Sequence, residues 1–193
     1  MIVFLFFTFM LTSLNLAAQL PTPEQHQRCP AIYSSRKAHN FALNDIHGVT
    51  QQLAAYEGKQ VILHFLDHPF NNNSNFFRYV TQAYAPMQAS NIVLMVISSA
   101  PLEDLQKIAQ IYTIPFLLLH DADKKVSLVY DALTPYNSCI RSTLIVDEHG
   151  FVIKAIIDGS VKDHLAEIFL HAFKHAVPLT MQSYTSEQNE NFN

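Results

Sequence analysis

The sequence is poor in the residues that a nucleic-acid-binding protein needs. Lys and Arg number 12 against 16 Asp and Glu, which gives a formal net charge of −4, and no run of basic residues occurs in the 193-residue chain. Binding to nucleic acid requires clustered Lys and Arg side chains that neutralise phosphates. The composition therefore excludes nucleic acid as the main partner.

Cysteine is scarce as well, with only Cys29 and Cys139 in the chain. There is no Cys-x-x-Cys pair and no zinc-type spacing of Cys and His. Two cysteines are enough for one disulfide, but a sequence does not give the distance between their Cα atoms, so a Cys29–Cys139 bridge and two free thiols are equally open. The helical pair His171 and His175 lacks an evident third ligand, and we expect no metal ion and no cofactor.

Long apolar runs are missing except at the start of the chain. The first eleven residues are almost wholly apolar, and the small pair Ala17-Ala18 follows shortly after. This run is shorter than the roughly 20 residues of a transmembrane helix and is typical of a signal peptide, although it lacks an early Lys or Arg. We expect residues 1–18 to be a signal peptide and the protein to be exported, as a periplasmic or secreted protein. Membrane contact is expected only through an uncleaved signal.

The rest of the chain is long enough for one domain with extensions. Residues 19–40 are polar and contain three prolines, which predicts an irregular N-terminal arm. Residues 41–178 are predicted to be the domain. Residues 179–193 are dominated by Gln, Asn, Ser and Glu, which predicts a disordered tail.

Within the predicted domain, short apolar runs alternate with segments of helical periodicity. Strands are predicted at residues 61–66, 92–97, 115–119, 143–146 and 151–157, and helices are predicted to start near residues 74, 101 and 160, with a brief helical segment possible before residue 130. The first strands are too apolar for a half-exposed sheet. The order predicts an α/β domain of thioredoxin-like fold, with a central mixed sheet and helices on both faces.

Four short motifs follow one another along this domain. They are Phe41-x-Leu43-x-Asp45-x-x-Gly48, Tyr56-x-Gly58-Lys59, Pro115-Phe116-x-Leu118-Leu119-x-Asp121 and Arg141-Ser-Thr143-Leu-Ile-x-Asp147-x-x-Gly150. Over about residues 41–173 the chain resembles a peroxiredoxin of the alkyl hydroperoxide reductase and thiol-specific antioxidant family, nearest the bacterioferritin-comigratory type. The resemblance implies a thiol-dependent peroxidase whose reactive cysteine begins the helix after the first central strand.

The resemblance breaks at that cysteine. In the family the loop reads Pro-x-x-x-Thr-x-x-Cys, and counting without a gap places Asp67 at the proline, Asn71 at the threonine and Ser74 at the cysteine. A shift that uses Pro69 places Phe76 there instead. Neither registration supplies a thiol, and a serine hydroxyl is too basic and cannot form a sulfenic acid. We expect a remnant pocket with Ser74, Asn71 and Pro69, where Ser74 has at least the role of a helix N-cap.

Two residues near the last motif remain candidates for chemistry. Arg141 fits the family's active-site arginine, which would bind substrate and thiolate; without the cysteine it still forms a pocket for an anion or polar ligand, or else pairs with a carboxylate. Cys139 could be a relocated thiol, a disulfide partner or an inert core residue. The leading hypothesis is a non-peroxidatic role in the cell envelope, with an unknown protein or small polar ligand as partner. The alternative is a thiol-dependent antioxidant peroxidase that uses Cys139 beside Arg141.

Overall fold

The computed structural model describes residues 36–70 and 73–173. The strands are β1 (Arg36–Lys37), β2 (Ala42–Asp45), β3 (Thr50–Gln52), β4 (Gln60–Leu66), β5 (Ile92–Ser98), β6 (Leu117–His120), β7 (Ser142–Val146) and β8 (Phe151–Ile157). The helices are α1 (Ser74–Ala89), α2 (Leu102–Tyr112), α3 (Lys125–Val129) and α4 (Val161–Ala172), with a 3-10 helix at Leu53–Tyr56.

The eight described strands form one mixed sheet in the order β1-β8-β7-β4-β5-β6-β2-β3. Strands β4, β5 and β6 are parallel, β7 lies antiparallel to β4, and β7 and β8 form the predicted hairpin. Nearly every residue of β4 and β5 is buried because other elements cover both faces of the sheet. The predicted α/β thioredoxin-like fold with a mixed central sheet is confirmed.

The two faces of the sheet carry different covers. Helices α1, α2 and α4 lie on one face, and their core residues include Phe77, Leu105 and Ile168, packed with Ile62 and Leu94 of the sheet. Helix α3 and the chain that leads into β2 lie on the other face, with a core that includes Phe41, Leu63, Met95, Val126 and Tyr130. Helices therefore occupy both faces, as predicted. The C-terminal end of β4 lies beside the first residues of β7 and of α1, at one edge of the sheet.

The structure differs from the sequence-based expectation within two helices. Pro86 and the polar residues 88–91 predict the close of α1; the helix continues past Pro86 to Ala89, and Met87 in its last turn is fully buried in the core. On α2, the sequence pattern predicts Leu102, Leu105, Ala109 and Tyr112 on the inner face, but Leu102 is 38% exposed, whereas Ile108 is buried. In both cases packing against the sheet outweighs the local pattern.

The N-terminal side also differs from the expectation of an irregular arm. Arg36 and Lys37, which lie inside the predicted arm, form strand β1 and pair with Val152 and Phe151 of β8. The predicted signal peptide, Cys29 and the predicted disordered tail lie outside the described residues. Within the described part of the chain no helix is long and apolar enough to span a membrane.

Candidate functional site

The site lies where β4 ends and α1 begins. Two hydrogen bonds fix the connecting loop: Ser98 Oγ donates to the carbonyl oxygen of Asp67 at 2.8 Å, and Asn73 Nδ2 donates to the carbonyl oxygen of His68 at 2.8 Å. Pro69 is buried within this loop, and Asn71 lies outside the described residues. The loop is therefore anchored both to the end of β5 and to its own last residue before α1.

Arg141 reaches this loop from the residue before β7. Its Nη2 donates to Asn73 Oδ1 at 3.1 Å, and its Nη1 donates to the carbonyl oxygen of Gly159 at 3.3 Å. The Nε atom is buried and has no hydrogen-bond partner among the described residues. Partial burial lowers the pKa of the Arg141 guanidinium from its ordinary value, and the nearby charge of Asp158 opposes that shift. The group stays cationic, and its buried Nε–H is a donor without an acceptor among the described residues.

No carboxylate of the described residues forms an ion pair with Arg141, since the ion pairs there join other side chains. The alternative that Arg141 merely pairs with a carboxylate therefore lacks a partner in this part of the chain. Asn73, which is 2% exposed, takes the place that a carboxylate would have. A neutral amide leaves the guanidinium without a carboxylate in direct contact, although the charge of Asp158 acts on it from farther away, and such a group attracts an anionic or strongly polar ligand.

Ser74 is the first residue of α1 and is exposed. The expectation that Ser74 caps this helix is wrong: the N-cap is Asn73, and its side chain is directed to His68 and Arg141 instead of the helix. The N–H groups of a first helical turn have no acceptor within the helix, and none is found for them in the described part of the chain. With respect to the described residues, the start of α1 thus presents N–H donors without an acceptor, together with the positive end of the helix dipole, beside Arg141.

Cys139 is buried and contacts the residue that follows β5. Its Sγ lies 3.3 Å from the Oγ of Ser99, just after β5, and its backbone pairs with Leu133. Among the described residues no hydrogen bond joins Cys139 to Arg141 or Ser74. Arg141 therefore makes a hydrogen bond at the start of α1, whereas the contact found for this sulfur is with Ser99. The bridge to Cys29 stays a prediction, because Cys29 lies outside the described residues.

The structure also shows a buried polar chain that sequence reasoning missed. His64 of β4 and His164 of α4 each place Nδ1 2.7 Å from Oγ1 of Thr143 on β7, and all three residues are 0% exposed. The His64 ring stacks on Phe76 in the first turn of α1, with 4.0 Å between ring centroids. A lone histidine within the apolar run of β4 was the available signal, but its partners depend on strand register and helix packing.

Both histidine rings are held neutral by their surroundings. For His64, burial is the main cause of a pKa well below the ordinary value, followed by His164 and Arg141. For His164, burial and then Arg141 lower the pKa to about 4, although Asp163 and the Gly159 backbone act in the opposite direction. The space between α1, α4 and the sheet therefore contains two uncharged imidazoles directly behind the Arg141 site.

His68, and His171 of the predicted helical pair, make separate contacts. His68 contacts Asp104 of α2 at 3.1 Å, and His171 lies beside Glu167 within α4. His175 lies outside the described residues. No group of three or more His, Cys, Asp or Glu side chains suited to a metal ion is found among residues 36–70 and 73–173.

Comparisons with known proteins agree with this geometry. The sequence profile of the AhpC/TSA family matches residues 35–155. The chain is 29% identical over 147 residues to "Peroxiredoxin Bcp" of Bacillus subtilis (strain 168). The aligned region covers 70% of this chain and 92% of that protein.

Two solved structures share the fold. They are the bacterioferritin comigratory protein of Xanthomonas campestris (TM-score 0.64, 16% identity, 71% of this chain and 92% of that one) and peroxidoxin BcpB of Mycobacterium tuberculosis (TM-score 0.66, 18% identity, 76% and 99%). The residues matched by the profile include both the β4–α1 connection and Arg141. The chain belongs to the AhpC/TSA family, as a thioredoxin-fold, peroxiredoxin-like protein of the bacterioferritin-comigratory type.

Proposed function

We propose that this protein binds a small polar or anionic ligand at Arg141 and does not reduce peroxides at the start of α1. The observation that carries the proposal is the buried Nε of Arg141, which has no partner among the described residues. A buried donor without an acceptor costs about 1–3 kcal/mol, and a ligand oxygen placed there recovers that cost. The free first-turn donors at Ser74 add a second point of attachment.

Peroxide reduction at this position is disfavoured by the chemistry of serine. A peroxidatic cysteine reacts as a thiolate, whereas a serine hydroxyl stays protonated and its oxygen is a poor nucleophile toward the O–O bond. No oxidised form of serine corresponds to the sulfenic acid that a second thiol would resolve. The family scaffold would thus serve as a binding module that retains the arginine of the enzymes it resembles.

The proposal places this binding role outside the cytoplasm, in the cell envelope. Its support is the apolar N-terminal run of the sequence, which is typical of a signal peptide. The partner is proposed to be a small polar molecule or a protein that presents such a group. Mass spectrometry of the protein purified without reductant from its native host tests export and cysteine pairing together. A mature chain that begins near residue 19 supports export, and an intact chain from Met1 found only in the cytoplasm contradicts it.

The binding site itself is tested with sulfate and acetate as probes. Titration into the ¹⁵N-labelled protein should shift the Arg141 side-chain Nε–H resonance in a saturable manner. Arg141→Lys keeps the charge but loses the planar fork of donors, so its affinity for either probe should fall at least tenfold. Arg36→Lys, on edge strand β1 and near the opposite end of β7 from Arg141, is the matched control and should bind like the wild type. Absence of saturable binding, or equal binding by Arg141→Lys, would refute the proposal.

A second candidate function is a thiol-dependent peroxidase that uses Cys139. It is favoured by the position of Cys139 two residues before Arg141, and the relative from Bacillus subtilis is named a peroxiredoxin. In that reaction the sulfur bonds to one peroxide oxygen as the O–O bond breaks, which gives a sulfenic acid and water. An added dithiol then restores the thiol and releases the oxygen as water. Steady peroxide consumption with dithiothreitol, lost in Cys139→Ala, would establish it; the binding proposal expects no turnover in either protein.

A further inference from the structure

A chain of three buried polar side chains lies behind Arg141, and ligand binding as proposed does not use it. His64, Thr143 and His164 come from β4, β7 and α4, and none of the three is exposed. This row of three side chains contacts two elements that flank the ligand site, namely the first turn of α1 and Gly159. At one end the His64 ring stacks on Phe76 in the first turn of α1, and at the other end His164 lies against Gly159, whose carbonyl accepts from Arg141.

One hydroxyl serves two ring nitrogens in this chain. Oγ1 of Thr143 lies 2.7 Å from Nδ1 of His64 and 2.7 Å from Nδ1 of His164, and no other partner of this oxygen is found in the described part of the chain. A hydroxyl donates only once, so it donates to one Nδ1 and accepts from the other. The two neutral rings are therefore opposite tautomers.

Gly159 favours one of the two arrangements. A Cβ atom at Gly159 would lie 3.2 Å from Nε2 of His164, so Gly159 is on the side of the ring that carries this nitrogen. Nε2 has no hydrogen-bond partner among the described residues, but the Gly159 backbone raises the pKa of His164, and we infer from its position that the proton of the neutral ring is on Nε2. With the proton on Nε2, His164 has a bare Nδ1 that accepts from Thr143. His64 then carries its proton on Nδ1 and donates it to Thr143.

We propose that this chain is an acid-operated release for Arg141. A proton taken from solvent by Nδ1 of His164 removes the acceptor of the Thr143 hydroxyl and places a second cation beside the guanidinium. The guanidinium then leaves its partners Gly159 and Asn73, and the ligand leaves with it. The release of ligand rests on the binding role proposed above, whereas the release of Arg141 does not.

The charges that face the two rings set the conditions of this release. Arg141 disfavours a proton on both rings. Asp163, in the first turn of α4, favours a proton on His164, but its Oδ2 already accepts from the backbone N–H and the hydroxyl of Ser160. Within the described residues Asp163 is the one carboxylate that acts directly on these rings.

The remaining neighbours do not neutralise an added proton. Asp158 acts on Arg141 and is not among the groups that shift the pKa of either ring, and α1 contacts His64 through the apolar ring of Phe76. With the pKa of His164 at about 4, the site holds Arg141 at neutral pH and releases it in acid. A ligand carried through an acidified space would therefore be discharged there.

Nuclear magnetic resonance of the wild-type protein tests the release without any ligand. At pH 7, the ¹⁵N shifts should show His164 protonated at Nε2 and His64 protonated at Nδ1. As the pH is lowered, solvent exchange of the Arg141 Nε–H should accelerate at least tenfold beyond the intrinsic pH dependence, with the same midpoint as the titration of His164. The proposal would be overturned if both rings had the same tautomer, or if the exchange rate of the Arg141 Nε–H did not change with the titration of His164.

A variant separates the proton from the rest of acid exposure. His164→Asn keeps an acceptor near the Nδ1 position and stays neutral, so Arg141 should remain protected down to pH 4. His149→Asn, in the exposed turn between β7 and β8, is the matched control and should release Arg141 like the wild type. If His164→Asn does not fold, the wild-type titration still decides. Sulfate binding at pH 7 is measured separately. Absence of sulfate binding would refute the proposed ligand-binding role, whereas the release of Arg141 is tested by the Arg141 titration alone.

Discussion

Two buried polar centres lie on opposite sides of the same sheet, and they differ in how fully their atoms are paired. Beside α3, Asp121 is 0% exposed, and its carboxylate accepts from the backbone N–H groups of Val126 and Ser127, at 3.2 and 2.7 Å, and from the Ser127 hydroxyl at 2.7 Å. Behind α1, the centre formed by Arg141 and the two buried histidines leaves one nitrogen of each side chain without a partner among the described residues.

The contrast separates a structural polar centre from one with capacity to spare. Buried polar groups in folded proteins are nearly always paired, and the Asp121 centre obeys this rule because it fixes the start of α3. The Arg141 centre departs from the rule at the edge of the sheet where the related enzymes have their reactive helix. Unpaired buried donors and acceptors at such a position indicate a place where a ligand or a proton completes the network.

The largest expected effect comes from breaking the fully paired centre. Asp121→Ala would leave three buried donors without an acceptor, and unfolding in urea should show a loss of at least about 3 kcal/mol. Asp123→Ala is the matched control, because Asp123 is exposed and pairs only with Lys125 at the surface. Its unfolding midpoint should equal that of the wild type. A small effect of Asp121→Ala would remove the distinction between the two centres.

A slightly smaller effect is expected from pH at the incompletely paired centre. The pKa of His164 is about 4 in the folded protein, below its ordinary value of 6.5, so the unfolded chain binds more protons between these values. Stability should therefore fall as the pH is lowered from about 6.5 to about 4, by about 3 kcal/mol for this group. His64, whose pKa is also lowered, acts in the same direction.

The same pH range distinguishes histidines from carboxylates. The pKa values of Asp45 and Asp163 are lowered from 3.8, so their contribution to stability is lost only below that value. Urea unfolding at pH 7 and at pH 4.5 should therefore differ strongly in the wild type and less in His164→Asn. Equal pH dependence in both proteins would show that His164 is not the group responsible.

Removal of the shared hydroxyl should have a moderate effect. Thr143→Val keeps the shape of the side chain but leaves the Nδ1 atoms of both buried histidines without a partner. We expect a loss of about 2 kcal/mol in urea unfolding. Thr50→Val, at an exposed site of β3 where the hydroxyl donates to Asn44, should change stability far less. If Thr143→Val did not change stability, the two rings would have other partners, and the hydrogen-bonded row of His64, Thr143 and His164 would not exist in solution.

The smallest expected effect concerns the lost thiol. Two variants are made separately in a protein without Cys29 and Cys139. Ser74→Cys places a thiol at the start of α1, and Ser90→Cys places one at its end. The helix start and Arg141 lower the pKa of a thiol, whereas the helix end raises it, so the cysteine at position 74 should react with hydrogen peroxide about tenfold faster. Trapping of the sulfenic acid with dimedone, followed by mass spectrometry, gives both rates. Equal rates would show that Ser74 does not occupy the reactive position.

The sheet and its helices were predictable because their signals are local. The apolar runs of β4 and β5, the turn at Gly150 and the capping box of Ser160 and Asp163 each depend on residues close in sequence, and the structure has all of them. The order of such elements is enough to specify the fold, since right-handed crossovers leave few arrangements. The family resemblance also singled out Arg141, whose side chain donates to Asn73 just before α1.

The inner part of the site was not predictable because it depends on distant residues. Thr143 lies opposite His64 only through the register of β7 on β4, and His164 joins them only when α4 packs across the sheet. The side chain of the N-cap residue Asn73 contacts Arg141 and not the helix, and no local pattern specifies this contact. Register and packing are set by the whole fold, so residues that are far apart in sequence meet without a local signal.

The proline inside α1 has a consequence for how this helix moves. Pro86 has no N–H, so the carbonyl oxygen of Gln82 loses its intrahelical donor, and the ladder of hydrogen bonds is interrupted one turn before the helix ends. The last turn is held by the buried side chain of Met87, and the first turn by the stacking of Phe76 on His64. Bending of the helix is therefore expected at this break in the ladder, between two ends that are each fixed to the core.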